Sequence, residues 1–317
     1  MLKYTFYRVL QLIPVWLLLS MVVFAMIHAL PGDAIDALVP ADAASNPATR
    51  AALEKELGLD KPLYVQYAKW LERIVLHGDF GRSITTRRTI SVEIFQRLPA
   101  TIYLAITAVC VSLLIAIPLG TIAAVKRRTI VDYAATATAL IGVSVPEFWL
   151  AILCILLFAL HLGWLPASEY YSPFDNFRLS LLHMVLPAGS LGVRLAAITT
   201  RLTRSSMLDE IHKEYVDTAR SLGLPERRVI YKYTLRNALI PTVTVAGLQF
   251  ARLLGGTVVV ETIFSWPGVG LTLYEAIVGR DYPMIQAAIL ILATTFVMMS
   301  LLVDLAYCWL NPRIRLG

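Results

Sequence analysis

Long apolar stretches recur six times along the chain, near 9–30, 100–125, 133–160, 181–202, 241–263 and 283–309. Each reaches the roughly 20 residues that a helix needs to cross the hydrocarbon core of a bilayer. Backbone polar groups inside lipid must be satisfied within the segment itself, so such runs predict helices. The expectation is an all-α polytopic membrane protein with six transmembrane helices. The first run follows Lys3 and Arg8 in the manner of a signal peptide. Its apolar stretch is too long for a leader and no small-residue cleavage site follows, so it is expected to be retained.

Lysine and arginine set the orientation. Lys3 and Arg8, Lys126-Arg127-Arg128, the stretch from Arg201 to Arg236, and Arg313 with Arg315 mark alternate ends of the runs. The intervening loops near 161–180 and 264–282 carry only Arg178 and Arg280. Basic residues stay on the cytoplasmic side, which places both termini there. The organisation that follows is an N-terminal transmembrane helix (1–30) and an extracytoplasmic helical loop (31–98). A five-helix membrane core (99–310) with a cytoplasmic loop at 203–240 comes next, then a cytoplasmic tail (311–317).

The 31–98 loop carries helix signals of its own. Asn46-Pro47 reads as an N-cap followed by proline at the first helical position, and Gly58 as the stop. A second helix is expected from Pro62, with Leu63, Tyr67, Trp70, Leu71 and Ile74 as an apolar stripe ending before Gly78. Such a loop is either a small cap on the membrane domain or a docking surface for an external partner.

Composition agrees with the pattern. Hydrophobic residues make up 57% of the 317 positions and charged residues 16%, against roughly a quarter charged in soluble domains. The net charge of +6 does not point to nucleic acid, because the basic residues cap apolar runs instead of clustering on one face. Cys110, Cys154 and Cys308 lie singly in apolar runs, without C-x-x-C spacing, and the five histidines have no ligand-spaced neighbours. No protein metal cage is expected.

Segment 203–240 differs from everything around it. Met207, Leu208, Ile211, Tyr215, Ala219 and Leu222 recur every three or four residues and predict one apolar helix face. Gly223 supplies a left-handed stop, Leu224 can pack back, and Pro225 suits the first position of a second short helix with Glu226 in its first turn. The product is two helices meeting at a glycine corner, in a loop far longer than a connection requires. It is either an amphipathic hairpin on the lipid surface or a knob that fits a groove on a cytoplasmic partner.

At these residues the chain resembles the membrane permeases of binding-protein-dependent ABC importers. Their cytoplasmic signature, a glutamate-alanine-alanine triplet followed three residues later by glycine, falls on Asp217-Thr218-Ala219 and Gly223, with departures at Asp217 and Thr218. Leu235 and Arg236 fit its ending. The peptide/nickel branch of the family is met more closely, by Glu214 through Leu224 and by Leu235 through Pro241. Further matching stretches include Pro31-Gly32-Asp33, Gly78-Asp79-Phe80-Gly81, Gly142 through Pro146, Phe264 through Gly270 and Asp281-Tyr282-Pro283. The resemblance implies a type I importer permease that pairs with a second homologous permease, two cytoplasmic ATPases and an extracytoplasmic substrate-binding protein in a bacterial or archaeal cytoplasmic membrane. It also implies that Glu214, Tyr215, Asp217, Thr218, Ala219, Arg220, Gly223, Leu224, Pro225 and Arg236 form the ATPase-coupling site.

The chain has no G-x-x-x-x-G-K-[ST] loop to cradle a triphosphate. It is therefore expected to bind no cofactor and to catalyse nothing, with ATP and magnesium held by partner subunits. Ionisable and polar residues inside spans are costly and mark function by default. Glu147, Arg194, Gln249 and Arg252 are the substrate-pathway candidates, either lining a polar path or pairing structurally. Glu261 and Asp304 are expected near the wet interfaces. Dipeptides or oligopeptides lead as substrates, with nickel chelate, glutathione and short oligosaccharide as alternatives. A gradient-driven secondary transporter is the more remote reading, since no internal repeat is seen.

Overall fold

The computed structural model describes residues 2–29 and 61–310. Among these the backbone is helical apart from loops, turns and one isolated antiparallel bridge, Arg82–Thr89. In chain order the helices are α1 (Leu2–Ala29), α2 (Leu63–His77), α3 (Ile90–Val125), α4 (Ile130–Ser144) and α5 (Glu147–Cys154), which runs into a π-helical stretch, Ile155–His161. Then come α6 (Phe177–Ile211), α7 (Glu214–Ser221), α8 (Glu226–Arg228), a second π-helical stretch, Val229–Thr234, and α9 (Leu235–Gly256). The series closes with α10 (Val258–Ile263), α11 (Val269–Val278) and α12 (Tyr282–Leu310).

Four of these segments are long and apolar enough to cross a membrane: α3, α6, the run Glu226–Gly256 and α12. Two expected spans look different in the structure. The run at 133–160 is broken, because Val145 and Pro146 are extended (ψ 125° and 139°). Proline lacks an N–H and disfavours helix at the residue before it, so α4 and α5 meet at a bend of 101°. The run at 241–263 is really the end of α9 plus a separate α10, parted at Thr257 (ψ 2°) just after Gly255-Gly256. The span expected from 100 starts ten residues earlier, at Ile90.

Met1–Thr101 with Pro267–Met298 forms one compact unit. Within it α2 behaves as its sequence predicts, with Pro62 at its N-cap and a left-handed Gly78 (φ 61°) at its end. It packs on α1: the Tyr67 hydroxyl and Ser20 Oγ share a hydrogen bond of 2.8 Å, and Phe24 lies 5.5 Å from the Tyr67 ring and 5.7 Å from that of Trp70. The helix expected between Asn46 and Gly58 lies outside the described residues. The core joins Ile90 and Ile94 of α3 to Val269, Met284, Ile285 and Ala288. Buried Asp281 accepts from Ser83 Oγ, from the Thr85 N–H (3.1 Å) and from the Met284 N–H (3.2 Å), so it pins the 83–85 turn to the start of α12.

Ile102–Trp266 with Met299–Gly317 forms the second unit. Its hub is α6, which packs against α4, α5 and α9. Small residues permit the close approach. A Cβ at Gly192 would sit 2.7 Å from Val111 Cγ1, so only glycine fits where α6 crosses α3, as in other tightly packed membrane helices. Thr199 and Thr203 of α6 bond to Gln249 and Thr242 of α9, each at 3.2 Å.

Candidate functional site

The charged segment begins where α6 stops. His212 (ψ 11°) and Lys213 (ψ 146°) turn the chain before α7 starts at Glu214. The single apolar face expected from Met207 to Leu222 is therefore divided. Met207, with Leu208 and Ile211, packs on Ala124, Ile230 and Ala238. Val216 and Ala219 pack instead on Val229, with Tyr215 and Leu224 at the edge. Leu222 leaves the face altogether and is 75% exposed.

Gly223 makes the corner. Its φ of +75° is a left-handed conformation that glycine adopts without strain. Its N–H donates to Arg220 O at 2.9 Å, and Leu224 packs back as its sequence position suggests. Pro225, expected at the first helical position, is the N-cap instead (φ −63°, ψ 137°), so Glu226 takes that position. The helix it opens is not short. From Glu226 the chain runs through the π-helical stretch to Gly256 as one segment of 31 residues, about 46 Å at 1.5 Å per residue. One arm of the corner is thus the end of a span.

Arg220 braces the corner. Its Nη2 donates to Glu226 Oε1 at 2.9 Å, its Nε to Glu226 Oε2 at 3.3 Å, and its Nη1 to Asp217 Oδ1 at 3.3 Å. The Glu226 carboxylate, with Asp217 adding to it, holds the guanidinium pKa above its ordinary value. Tyr215 ties α7 back to α6 through a 2.6 Å bond to Glu210 Oε2. Burial first, and that carboxylate second, raise the phenol above its usual range.

The coupling candidates therefore divide by exposure. Glu214, Asp217, Thr218, Gly223, Pro225 and Arg236 face outward, Ala219 is buried, and Tyr215, Arg220 and Leu224 are half-buried and hold the shape. Beside the outward face lies a groove of about 480 Å³ lined by Pro225, Arg227, Arg228 and Tyr231. Arg227, Arg228 and Tyr231 were not picked out by sequence reasoning, and Leu222 was placed on the apolar face, not the outward one. An apolar residue next to a corner glycine was the available signal for Leu222.

Within the spans, Glu147 and Arg194 form an ion pair, Nη1 to Oε2 at 2.5 Å. Gln249 is buried; its Oε1 accepts from Thr199 Oγ1, while its Nε2 has no hydrogen-bond partner among the described residues. Arg252, one turn further along α9, is exposed. Glu261 is not near a wet interface as expected but fully buried, accepting from Thr257 Oγ1 at 2.8 Å. A second pair, Asp132 with Arg204, escaped the sequence reading because both residues sit at the ends of basic stretches.

Among the described residues the chain is thus a set of long apolar helices with a braced two-helix corner at the end of one span. Residues 116–316 match the family of the binding-protein-dependent transport system inner membrane component, and residues 1–105 match its N-terminal companion family. The chain is 41% identical over 335 aligned positions to the dipeptide transport system permease protein DppB of Alkalihalophilus pseudofirmus, covering 99% of this chain and 100% of that one. It is 40% identical to the glutathione transport system permease protein GsiC of Salmonella paratyphi A over 315 positions, 99% of each chain. Identity to DppB of Escherichia coli K12 is 39% over 338 positions, again 99% of each. An inward-facing structure of the MetNI methionine ABC transporter shares the fold, with a TM-score of 0.58 at 16% identity, over 69% of this chain and 97% of that one. The chain belongs to the family of inner-membrane permeases of binding-protein-dependent ABC importers, in their dipeptide branch. It is a multi-pass inner-membrane protein that works with an ATPase and a substrate-binding protein.

Proposed function

We propose that this chain is one of two homologous permeases that carry dipeptides or oligopeptides across a bacterial cytoplasmic membrane by alternating access. α1 is the sixth span, and both termini are cytoplasmic. Two ATPase subunits hold ATP and magnesium and perform the hydrolysis, while this chain binds neither. The binding protein delivers substrate from the opposite side, where α2 offers a docking face.

The observation that carries this reading is the corner at Gly223, whose second arm continues without interruption into a span. ATP shifts a permease between inward- and outward-open states only if the docked ATPase interacts differently with the two. A helix continuous from the docking corner into the bilayer gives that interaction a rigid path. Glu147, Arg194, Gln249 and Arg252 then line the substrate path. Relatives at 41% and 39% identity are named for dipeptides and support peptide as the substrate class. The relative at 40% named for glutathione supports a second reading, in which that modified tripeptide is the cargo.

Purifying the chain from detergent with its native partners and measuring uptake in sealed vesicles tests both readings. Stoichiometric ATPase and ATP-dependent uptake of labelled dialanine are expected, with excess glutathione competing poorly. Uptake without ATPase or ATP would refute the mechanism, and glutathione uptake in preference to dialanine would select the second reading.

A further inference from the structure

Two ion pairs inside the spans of the second unit are built differently. Arg204 grips Asp132 with two donors, Nε to Oδ1 at 2.5 Å and Nη2 to Oδ2 at 2.8 Å, and the Arg128 N–H adds a third bond at 3.0 Å. The Asp132 side chain is only 4% exposed. This bidentate, buried arrangement locks α4 to α6.

Glu147 and Arg194 share a single bond, Nη1 to Oε2. Their side chains are 26% and 43% exposed. Glu147 Oε1 and the other guanidinium N–H groups have no hydrogen-bond partner among the described residues, although a carboxylate offers about four acceptor sites and an arginine five donors. Charges inside a membrane domain face water, a partner or a ligand, and this pair is left half-satisfied.

Its place in the fold is equally specific. Glu147 is the first residue of α5, directly after the 101° break. An apolar cleft of about 440 Å³ opens at the same break, lined by Leu140, Ile141, Ser144, Val145, Pro146 and Trp149, within the size range of small-ligand sites. A third charge sits at similar depth. The bonds Thr203–Thr242 and Thr199–Gln249 show α6 and α9 running antiparallel. Arg252, three residues beyond Gln249, therefore lies close to the level of Arg194.

We propose that the open Glu147–Arg194 pair, with the cleft beside it, is a binding site for the two charged ends of a short zwitterionic peptide. This rests on the reading of the chain as a peptide importer. The peptide ammonium takes Glu147, its carboxylate takes Arg194 under the added field of Arg252, and an apolar side chain lies against Pro146 and Trp149. The exchange trades one internal ion pair for two with the ligand, so no charge is stranded in low dielectric while the site fills or empties. The site reads chain ends common to all peptides and leaves side-chain selection elsewhere.

The test uses the intact complex, with its ATPase and binding protein, in proteoliposomes. Glu147→Gln, Arg194→Gln and the double variant are compared for uptake of labelled dialanine. A structural pair is damaged by either single change and relieved by the double, because no lone charge remains. A site that grips the peptide's ends leaves the double variant about tenfold or more below wild type while the ATPase still co-elutes. Recovery in the double variant, or loss of assembly in all three, overturns the proposal. A wild-type complex that takes up no peptide would instead sink the importer reading. Independently, Trp149 fluorescence, isolated by subtracting the Trp149→Phe complex, should respond to dialanine and not to N-acetyl-dialanine amide. An equal response to both overturns the proposal.

Discussion

Changing Gly223 separates the shape of the corner from the atoms on its surface. Its φ is +75°, and beyond its chain neighbours an added Cβ would meet no atom of the described residues within 4 Å. The cost of a side chain is therefore backbone strain, about 1–2 kcal/mol for alanine in the left-handed region. Asparagine visits that region readily and should cost less, whereas valine, branched at Cβ, should cost more. A shift of 1–2 kcal/mol is about a five- to thirtyfold change in population. If the corner must hold this geometry to engage the ATPase, ATP-driven dialanine uptake should fall in the order Asn, Ala, Val, with alanine five- to thirtyfold down. Gly223→Asp should lose more than Gly223→Asn, because it adds a charge to the outward face without changing the backbone preference. The complex should remain inserted throughout, which membrane yield and gel filtration check. Wild-type uptake in Gly223→Val would refute the argument. An order that follows size, with alanine milder than asparagine, would show that contact and not backbone geometry is what matters.

Other outcomes follow from the same contacts. Asp132→Asn should leave Arg204 uncompensated and lower stability by about 3 kcal/mol, seen as a fall in melting temperature that Asp132→Leu with Arg204→Met largely restores. Arg220→Ala removes braces that are partly exposed, each worth about 0.2–1 kcal/mol, so global stability should barely move while hydrogen exchange across 214–228 quickens. Asp281→Ala should free the 83–85 turn and expose it to protease, with the Asn variant intermediate. The raised Tyr215 phenol means its bond to Glu210 is fully present below the ordinary phenol pKa of about 10 and is lost only as pH climbs above that. Exchange of the 214–221 helix should therefore be flat from about pH 6 to pH 9 apart from intrinsic rates.

The sequence was legible where one residue type forces one conformation. Gly78 and Gly223 marked their corners, whereas the break at Pro146 fell inside a run read as one span. It was illegible where a helix ends without such a residue. At His212-Lys213 the heptad-like spacing of apolar residues continues across a real stop, so Leu222 was assigned to a buried face that it does not share. Thr257 likewise parts α10 from α9 and carries Glu261 into the interior, against the expectation of an interfacial carboxylate. The ion pairs join residues 47 and 72 positions apart. Sequence could name Glu147 and Arg194 as candidates, but only the packing of α5 on α6 shows that they meet, and with how many bonds.

The central claim is that the corner between α7 and α8 engages the ATPase. A photo-crosslinking amino acid, p-benzoylphenylalanine, placed at exposed Leu222 in the intact complex tests it most directly. Irradiation should trap the ATPase subunit as the main adduct, identified by mass spectrometry. Adducts confined to lipid, with the ATPase present in the complex but never captured, would contradict it.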